Sequence, residues 1–123
     1  MKTTILLIED NEQNRYLTTF LLEQRGHEVV SAMSGPEGLE LAERIRPDLI
    51  LLDIQLPGMD GYEVAKAMKS RPSVKDIPIV AVTSYAMRGD RERILAEGAA
   101  GYIEKPIDPA TFVSEIEAFL RLE

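Results

Sequence analysis

Short apolar runs alternate with longer amphipathic segments along the whole chain. Three of these runs, residues 5–8, 49–52 and 77–82, contain no polar position. They predict central strands of a parallel sheet, because strands covered on both faces lose the alternation of apolar and polar residues. Two shorter, more polar runs, residues 27–32 and 101–104, are typical of edge strands.

Helices are predicted between the strands, because apolar residues recur there at the spacing of one helical face. In the first helix this face is formed by Leu17, Phe20 and Leu21, and a shorter, polar helix is predicted over residues 90–97. Asp108 is expected to cap the last helix, with Pro109 at its start. Five strands alternating with five helices predict an α/β fold, a doubly wound (βα)5 parallel sheet with helices on both faces.

Acidic residues directly follow two of the apolar runs. Glu9 and Asp10 follow the first strand, and Asp53 ends the third. Ligands of open α/β sheets bind outside the carboxyl ends of the strands, so these three acids converge if strands one and three are neighbours. Clustered carboxylates need a cation, and oxygen ligands without His or Cys favour Mg²⁺ or Mn²⁺.

The fourth and fifth strands end in residues of complementary chemistry. Thr83 brings a hydroxyl group to the same rim, and Lys105 brings a positive charge. A carboxylate beside a divalent cation and a lysine can attack phosphorus, because both cations offset charge on the phosphoryl oxygens. Each residue alone is common at a strand end, and the interpretation depends on their occurrence together.

Composition narrows the possible classes of protein. The 123 residues suit one domain, 1–123, with its own core. The net charge of −7 disfavours binding to nucleic acid or anionic membranes. The chain has no cysteine and no apolar run long enough to insert into a membrane, so a cytoplasmic location is expected. His27, the single histidine, is expected to be solvated.

Four motifs, "IEDN", "LLDIQLPGMDG", "VAVTSYA" and "GYIEKP", give the whole chain a specific likeness. It resembles the receiver domain of bacterial two-component response regulators, particularly receivers that stand alone without an output domain. The resemblance implies the strand order 2-1-3-4-5. It also implies that Asp53 accepts a phosphoryl group from a phosphohistidine on a histidine kinase or a histidine phosphotransfer protein.

The resemblance further assigns roles around Asp53. It implies that Asp10 binds Mg²⁺ directly, Glu9 binds it through water, and the backbone carbonyl of Gln55 completes the shell. Lys105 would pair with the phosphoryl group, and the Lys105–Pro106 bond would be cis.

The resemblance also implies how phosphorylation becomes a signal. Thr83 would move towards the phosphoryl group and Tyr102 would follow inward. This movement would change the face formed by the fourth helix, fifth strand and fifth helix, where a downstream protein binds.

Three other classes of protein are alternatives to a phosphorylated receiver. A magnesium-dependent phosphohydrolase with an aspartyl nucleophile commonly has an acid two residues after it, where this chain has Gln55. A flavin binder needs a phosphate-binding loop after strand one, where "EDNEQN" would repel phosphate. A receiver fold acting as an adaptor without phosphorylation would not need the intact set of site residues. The sequence therefore predicts a signalling receiver and not a dedicated enzyme.

Overall fold

Strands and helices alternate along the chain, as the apolar pattern predicts. The computed structural model describes residues 3–83 and 89–120, so the last three residues of the "VAVTSYA" motif lie outside the described part. The strands are β1 (Thr4–Ile8), β2 (Glu28–Ala32), β3 (Leu49–Asp53), β4 (Ile79–Thr83) and β5 (Gly101–Glu104). The helices are α1 (Glu12–Gln24), α2 (Gly35–Ile45), α3 (Gly61–Lys69), α4 (Asp90–Ala96) and α5 (Phe112–Leu120).

The five strands form one parallel sheet in the order β2-β1-β3-β4-β5. This confirms the order that the resemblance implied, with β2 and β5 at the edges. Ile8 pairs with Leu52, so Glu9 and Asp53 leave adjacent strands at the same level. Thr83 pairs with Glu104, which brings Lys105 to the same rim. The carboxyl ends of four strands therefore meet where the strand order reverses.

The two faces of the sheet have separate hydrophobic cores, because alternate residues of each strand point to opposite faces. One core packs Leu6, Ile8, Ile50 and Leu52 against residues of α2, α3 and α4. The other packs Ile5, Leu7, Leu49 and Leu51 against residues of α1 and α5. Full burial of each such side chain contributes about 2 kcal/mol, so the three central strands hold the rim residues in place.

Two predicted element starts differ from the structure by two residues or more. β4 begins at Ile79 instead of residue 77, because Pro78 has no N–H group for the ladder. α5 begins at Phe112, three residues after Pro109. Asp108 does act as a cap, since its Oδ1 accepts the N–H of Ala110 at 2.9 Å, but it caps a turn that leads into the helix.

The predicted buried face of α1 was confirmed only at Leu21, which is half-buried and packs against the core. Leu17 and Phe20 are exposed, whereas Thr18 and Leu22 are buried against the sheet. Apolar side chains cover more than one face of this helix, so periodicity alone did not select the buried face. Packing against β1 and β3 selects Leu22, and an apolar surface remains on the outside of α1.

The prediction that His27 is solvated was also wrong. Its imidazole lies almost buried at the start of β2, with Nε2 at 2.8 Å from Glu117 Oε2 on α5. Arg25 Nη2 donates to the other oxygen of the same carboxylate at 2.8 Å. These contacts join the α1–β2 turn to the last helix.

No helix within residues 3–83 and 89–120 is a candidate for membrane insertion. None of the helices there has both the length and the apolar character needed to span a bilayer.

Candidate functional site

Three carboxylates meet at the carboxyl end of the sheet. Glu9, Asp10 and Asp53 each have a carboxylate oxygen within 4.8 Å of the others. Glu9 and Asp53 are buried, and Asp10 is exposed at the rim. The neighbouring positions of β1 and β3 produce this cluster, as the sequence predicts. An all-oxygen set of this kind fits a hard divalent cation such as Mg²⁺.

Lys105 follows the edge strand β5 and reaches this cluster from that edge of the sheet. Its Nζ lies 2.7 Å from Glu9 Oε1 and 3.6 Å from Asp53 Oδ2. The backbone N–H of Lys105 donates to the carbonyl oxygen of Thr83 at 2.8 Å, and the Lys105–Pro106 bond is cis, as expected. One ammonium group therefore bridges acids from two strands while its backbone is held by the end of β4.

The charges at the site do not balance. Three carboxylates face one lysine, and Lys105 lies closer to Glu9 than to Asp53. Burial and the neighbouring Glu9 together raise the pKa of Asp53 to about 7, against the opposing effects of the Gln55 N–H and Lys105. An additional cation would favour the charged carboxylate that the protein alone disfavours.

The segment after β3 fixes one oxygen of Asp53. The backbone N–H of Gln55 donates to Asp53 Oδ1 at 3.0 Å, which leaves Oδ2 on the side of Lys105. The side chain of Gln55 is not an acid and the residue is exposed, so Asp53 has no second carboxyl group two positions further along. The Gln55 carbonyl as a metal ligand stays a prediction.

Thr83 lies on β4 and Tyr102 on β5, the two strands at one side of the sheet. Thr83 ends β4 and is buried. Tyr102 pairs with Ala81 across β4 and β5, is half-buried, and lines a groove of about 390 Å³ beside α5. The structure therefore brings the hydroxyl to the rim and the aromatic ring to the neighbouring surface. Their coupled movement stays a prediction.

Two residues at the site were missed by the sequence reasoning. Arg15, on α1, donates from Nη1 to the carbonyl oxygens of Glu9 at 3.1 Å and Asp10 at 3.0 Å. Gly61 begins α3 so close to the strand end that a Cβ atom there would lie 2.8 Å from the Asp53 carbonyl oxygen. Gly61 ends the "LLDIQLPGMDG" motif, whereas nothing in the sequence indicated the role of Arg15.

Comparisons with known proteins agree with this geometry. Residues 5–117 match the model of the response regulator receiver domain. The chain is 44% identical to the polar-differentiation response regulator DivK of Brucella anthropi, over 98% of each chain.

Solved receiver structures give the same result. The fold matches Vibrio cholerae chemotaxis protein CheY4 with a TM-score of 0.90 and 29% identity, over 96% of this chain and 98% of that one. It also matches the receiver domain of the sensor histidine kinase PA1611 of Pseudomonas aeruginosa, with a TM-score of 0.85 and 34% identity over 99% and 97% of the chains. That structure has a magnesium ion coordinated in its active-site cleft.

Proposed function

Because the chain belongs to the response regulator receiver family, whose members are signalling regulators and not dedicated enzymes, we propose that it is a phosphoacceptor. In this proposal Asp53 takes a phosphoryl group from a histidine kinase or a histidine phosphotransfer protein in a Mg²⁺-dependent reaction. The phosphorylated protein then signals through contacts with another protein. These exchanges would take place in the cytoplasm.

The observation that carries the proposal is the bridge made by Lys105 between Glu9 and Asp53. It places a cation at 3.6 Å from Asp53 Oδ2, the oxygen that does not accept from the Gln55 N–H. Attack by this oxygen on the phosphorus of a phosphohistidine forms the O–P bond as the P–N bond breaks. The imidazole leaves with the electron pair of that bond and takes up a proton. Lys105 is positioned to pair with the transferred group.

The residues proposed to hold Mg²⁺, or Mn²⁺ in its place, are Asp10, Asp53 and the Gln55 carbonyl, with Glu9 acting through water. Two observations support this order of roles. The Glu9 carboxylate is paired with Lys105 at 2.7 Å, whereas Asp10 is exposed at the rim. A bound divalent ion offsets negative charge on the carboxylates and the phosphoryl oxygens. Its presence also favours the ionised form of Asp53, which is the nucleophilic form.

Thr83 and Tyr102 are the proposed switch. The Thr83 hydroxyl would donate to a phosphoryl oxygen on Asp53, and Tyr102 would change its position on the adjacent strand. Tyr102 lines the groove beside α5, so its movement alters a surface built from α4, β5 and α5. A binding partner shifts the equilibrium between two such states only by its difference in affinity for them. We therefore propose that the downstream protein binds this face, because it is the surface that differs between the two states.

The exposed apolar surface of α1 supports a protein as the phosphoryl donor. Tyr16 is 73% exposed and Phe20 is 47% exposed, and their rings stack with centroids 6.4 Å apart. Leu17 is exposed beside them. This patch starts at Tyr16, one turn into α1 and six residues after Asp10, so a partner docked on it would bring its histidine to the rim. Exposed apolar patches mark protein contacts, and small phosphodonors would not need one.

The proposal is tested by labelling the protein with acetyl phosphate and Mg²⁺ and locating the phosphoryl group by mass spectrometry. A phosphoryl group on Asp53 is the expected result, and one on any other residue would refute the assignment. A parallel reaction with Phe20→Ala separates the donors. This variant should be labelled normally by acetyl phosphate but slowly by the histidine kinase that phosphotransfer profiling identifies.

A further inference from the structure

Arg15 connects α1 to the segment that carries the acids. Its Nη1 donates to two successive backbone carbonyl oxygens, those of Glu9 and Asp10, at 3.1 and 3.0 Å. The side chain is half-buried, and its own backbone N–H donates to the Asn11 carbonyl in the first turn of the helix. A single guanidinium nitrogen therefore spans the segment between strand and helix.

These two carbonyl groups flank the Cα atom of Asp10. The Glu9 carbonyl belongs to the peptide plane before Asp10, and the Asp10 carbonyl belongs to the plane after it. Peptide groups are planar, so holding both oxygens fixes both backbone dihedrals of Asp10. The direction of its Cα–Cβ bond follows from these dihedrals. Arg15 thereby sets the direction in which the Asp10 side chain leaves the backbone, without touching the carboxylate.

Asp10 needs this support more than the other two acids do. Glu9 is held by Lys105 and by the Asn11 N–H at 3.2 Å, and Asp53 is held by the Gln55 N–H. Within residues 3–83 and 89–120, no hydrogen bond or ion pair restrains the carboxylate of Asp10. Its backbone is therefore the part that the protein controls.

We propose that Arg15 is a positioning residue for the metal site and acts by orienting Asp10 towards a divalent cation. This inference rests on the metal site proposed above and adds a residue to it. Groups that orient a metal ligand are typically worth 10- to 100-fold in metal affinity. We expect Arg15→Met to weaken Mg²⁺ binding about tenfold.

A purely electrostatic role for Arg15 predicts the opposite change in Mg²⁺ affinity. A positive charge near a divalent cation repels it, so removing that charge would tighten binding. A positioning role predicts weaker binding in Arg15→Met, with partial recovery in Arg15→Lys, which keeps a donor but has a shorter reach. Arg44→Met is the matched control. It removes the same charge from an exposed pair with Glu40 and should leave the affinity unchanged.

The experiment is a Mg²⁺ titration of each variant followed by amide NMR, without any phosphodonor. Spectra of the metal-free variants and their melting temperatures show that each one is folded. Arg15→Met should bind about tenfold more weakly than wild type and should add little further loss to Asp10→Asn, because both changes affect the same ligand.

Three outcomes would overturn the inference. Tighter or unchanged Mg²⁺ binding by Arg15→Met would overturn the inference. Fully additive losses of affinity in the double variant with Asp10→Asn would also overturn it. Neither outcome would contradict the metal site itself. Absence of Mg²⁺ binding by the wild-type protein would overturn the metal site and this inference together.

Discussion

Two ion clusters in this protein are built from similar parts and have different balances of charge. The site cluster joins Lys105 to Glu9 and Asp53, with Asp10 beside them. The Glu117 cluster joins Glu117 on α5 to Arg25 and His27 after α1. In both, an almost buried carboxylate accepts from a base at 2.7–2.8 Å.

The difference between them lies in the number of acids for each base. In the Glu117 cluster one carboxylate has a separate partner for each oxygen, and we call this cluster saturated because both oxygens are paired. In the site cluster a single lysine serves two buried acids and a third is exposed nearby, which leaves negative charge uncompensated. A saturated cluster stabilises the fold, whereas an unsaturated one has capacity to bind a cation or a cationic complex.

The largest expected effect is on phosphorylation, which should depend on the site cluster and not on the Glu117 cluster. Asp53→Asn keeps the shape of the side chain but removes the nucleophilic charge, so labelling by acetyl phosphate with Mg²⁺ should be abolished. Glu117→Gln is the matched change in the other cluster and should be labelled at the wild-type level. Intact mass measurements of both variants check this. Labelling of Asp53→Asn at another residue would remove the functional contrast.

The next effect concerns Mg²⁺ affinity within the site cluster. Asp10→Ala should weaken binding tenfold or more, because Asp10 is exposed and proposed as the direct ligand. Glu9→Ala should weaken it less, since Glu9 already pairs with Lys105. Calorimetric titration gives both values, and EDTA should block phosphorylation of either variant and of the wild type. Equal losses from the two substitutions would contradict the assigned roles.

A smaller effect should appear in the dependence of stability on pH. The pKa of Asp53 is raised from 3.8 to about 7 in the metal-free folded protein, so the folded state binds this proton more tightly than the unfolded state does. The resulting stability is present below pH 4 and is lost as pH rises through 7. Asp53→Asn should therefore be more stable than wild type at pH 8, by roughly 1–3 kcal/mol, and the difference should shrink towards pH 4.

Urea unfolding in EDTA at several pH values measures this effect. Glu117→Gln provides the contrast, because it removes a compensated carboxylate and should show no gain at pH 8. A wild-type protein whose stability relative to Asp53→Asn did not change between pH 4 and pH 8 would contradict the raised pKa.

The smallest expected effect is on the fold alone. Glu117→Gln leaves Arg25 and His27 without a charged acceptor and should cost about 1 kcal/mol, since Arg25 is half-exposed and its pair is partly screened by solvent. The melting temperature should fall by a few degrees, while Mg²⁺ affinity stays at the wild-type value. A loss of Mg²⁺ affinity in this variant would show that the clusters are coupled.

The sequence was sufficient for those parts of the molecule that depend on local pattern. Continuous apolar runs identified β1, β3 and β4, and an acid directly after each of two strands identified Glu9, Asp10 and Asp53. Parallel strands present their carboxyl ends at one rim, so the meeting of these residues followed from the fold class. The strand order itself came from the family resemblance.

The contacts that were missed depend on tertiary packing. The buried face of α1 could not be chosen from its spacing, because Tyr16, Leu17, Phe20 and Leu22 surround much of the helix. The contact of His27 with Glu117 joins residues 90 positions apart, and no local pattern marks it. Arg15 was missed because it donates to backbone carbonyls, whose positions depend on the path of the chain and not on residue type.

The reach of Lys105 across the sheet has a consequence for the order in which the protein is made. Glu9 and Lys105 are separated by 96 positions, with the acid near the start of the chain and the lysine near its end. During synthesis, all three acids leave the ribosome before the cation that compensates them. A nascent chain that stops before β5 has the acids of the site without its lysine, so the proposed phosphoacceptor site becomes complete only when the last βα unit docks. Competence to accept the proposed phosphoryl group is thereby linked to completion of the fold.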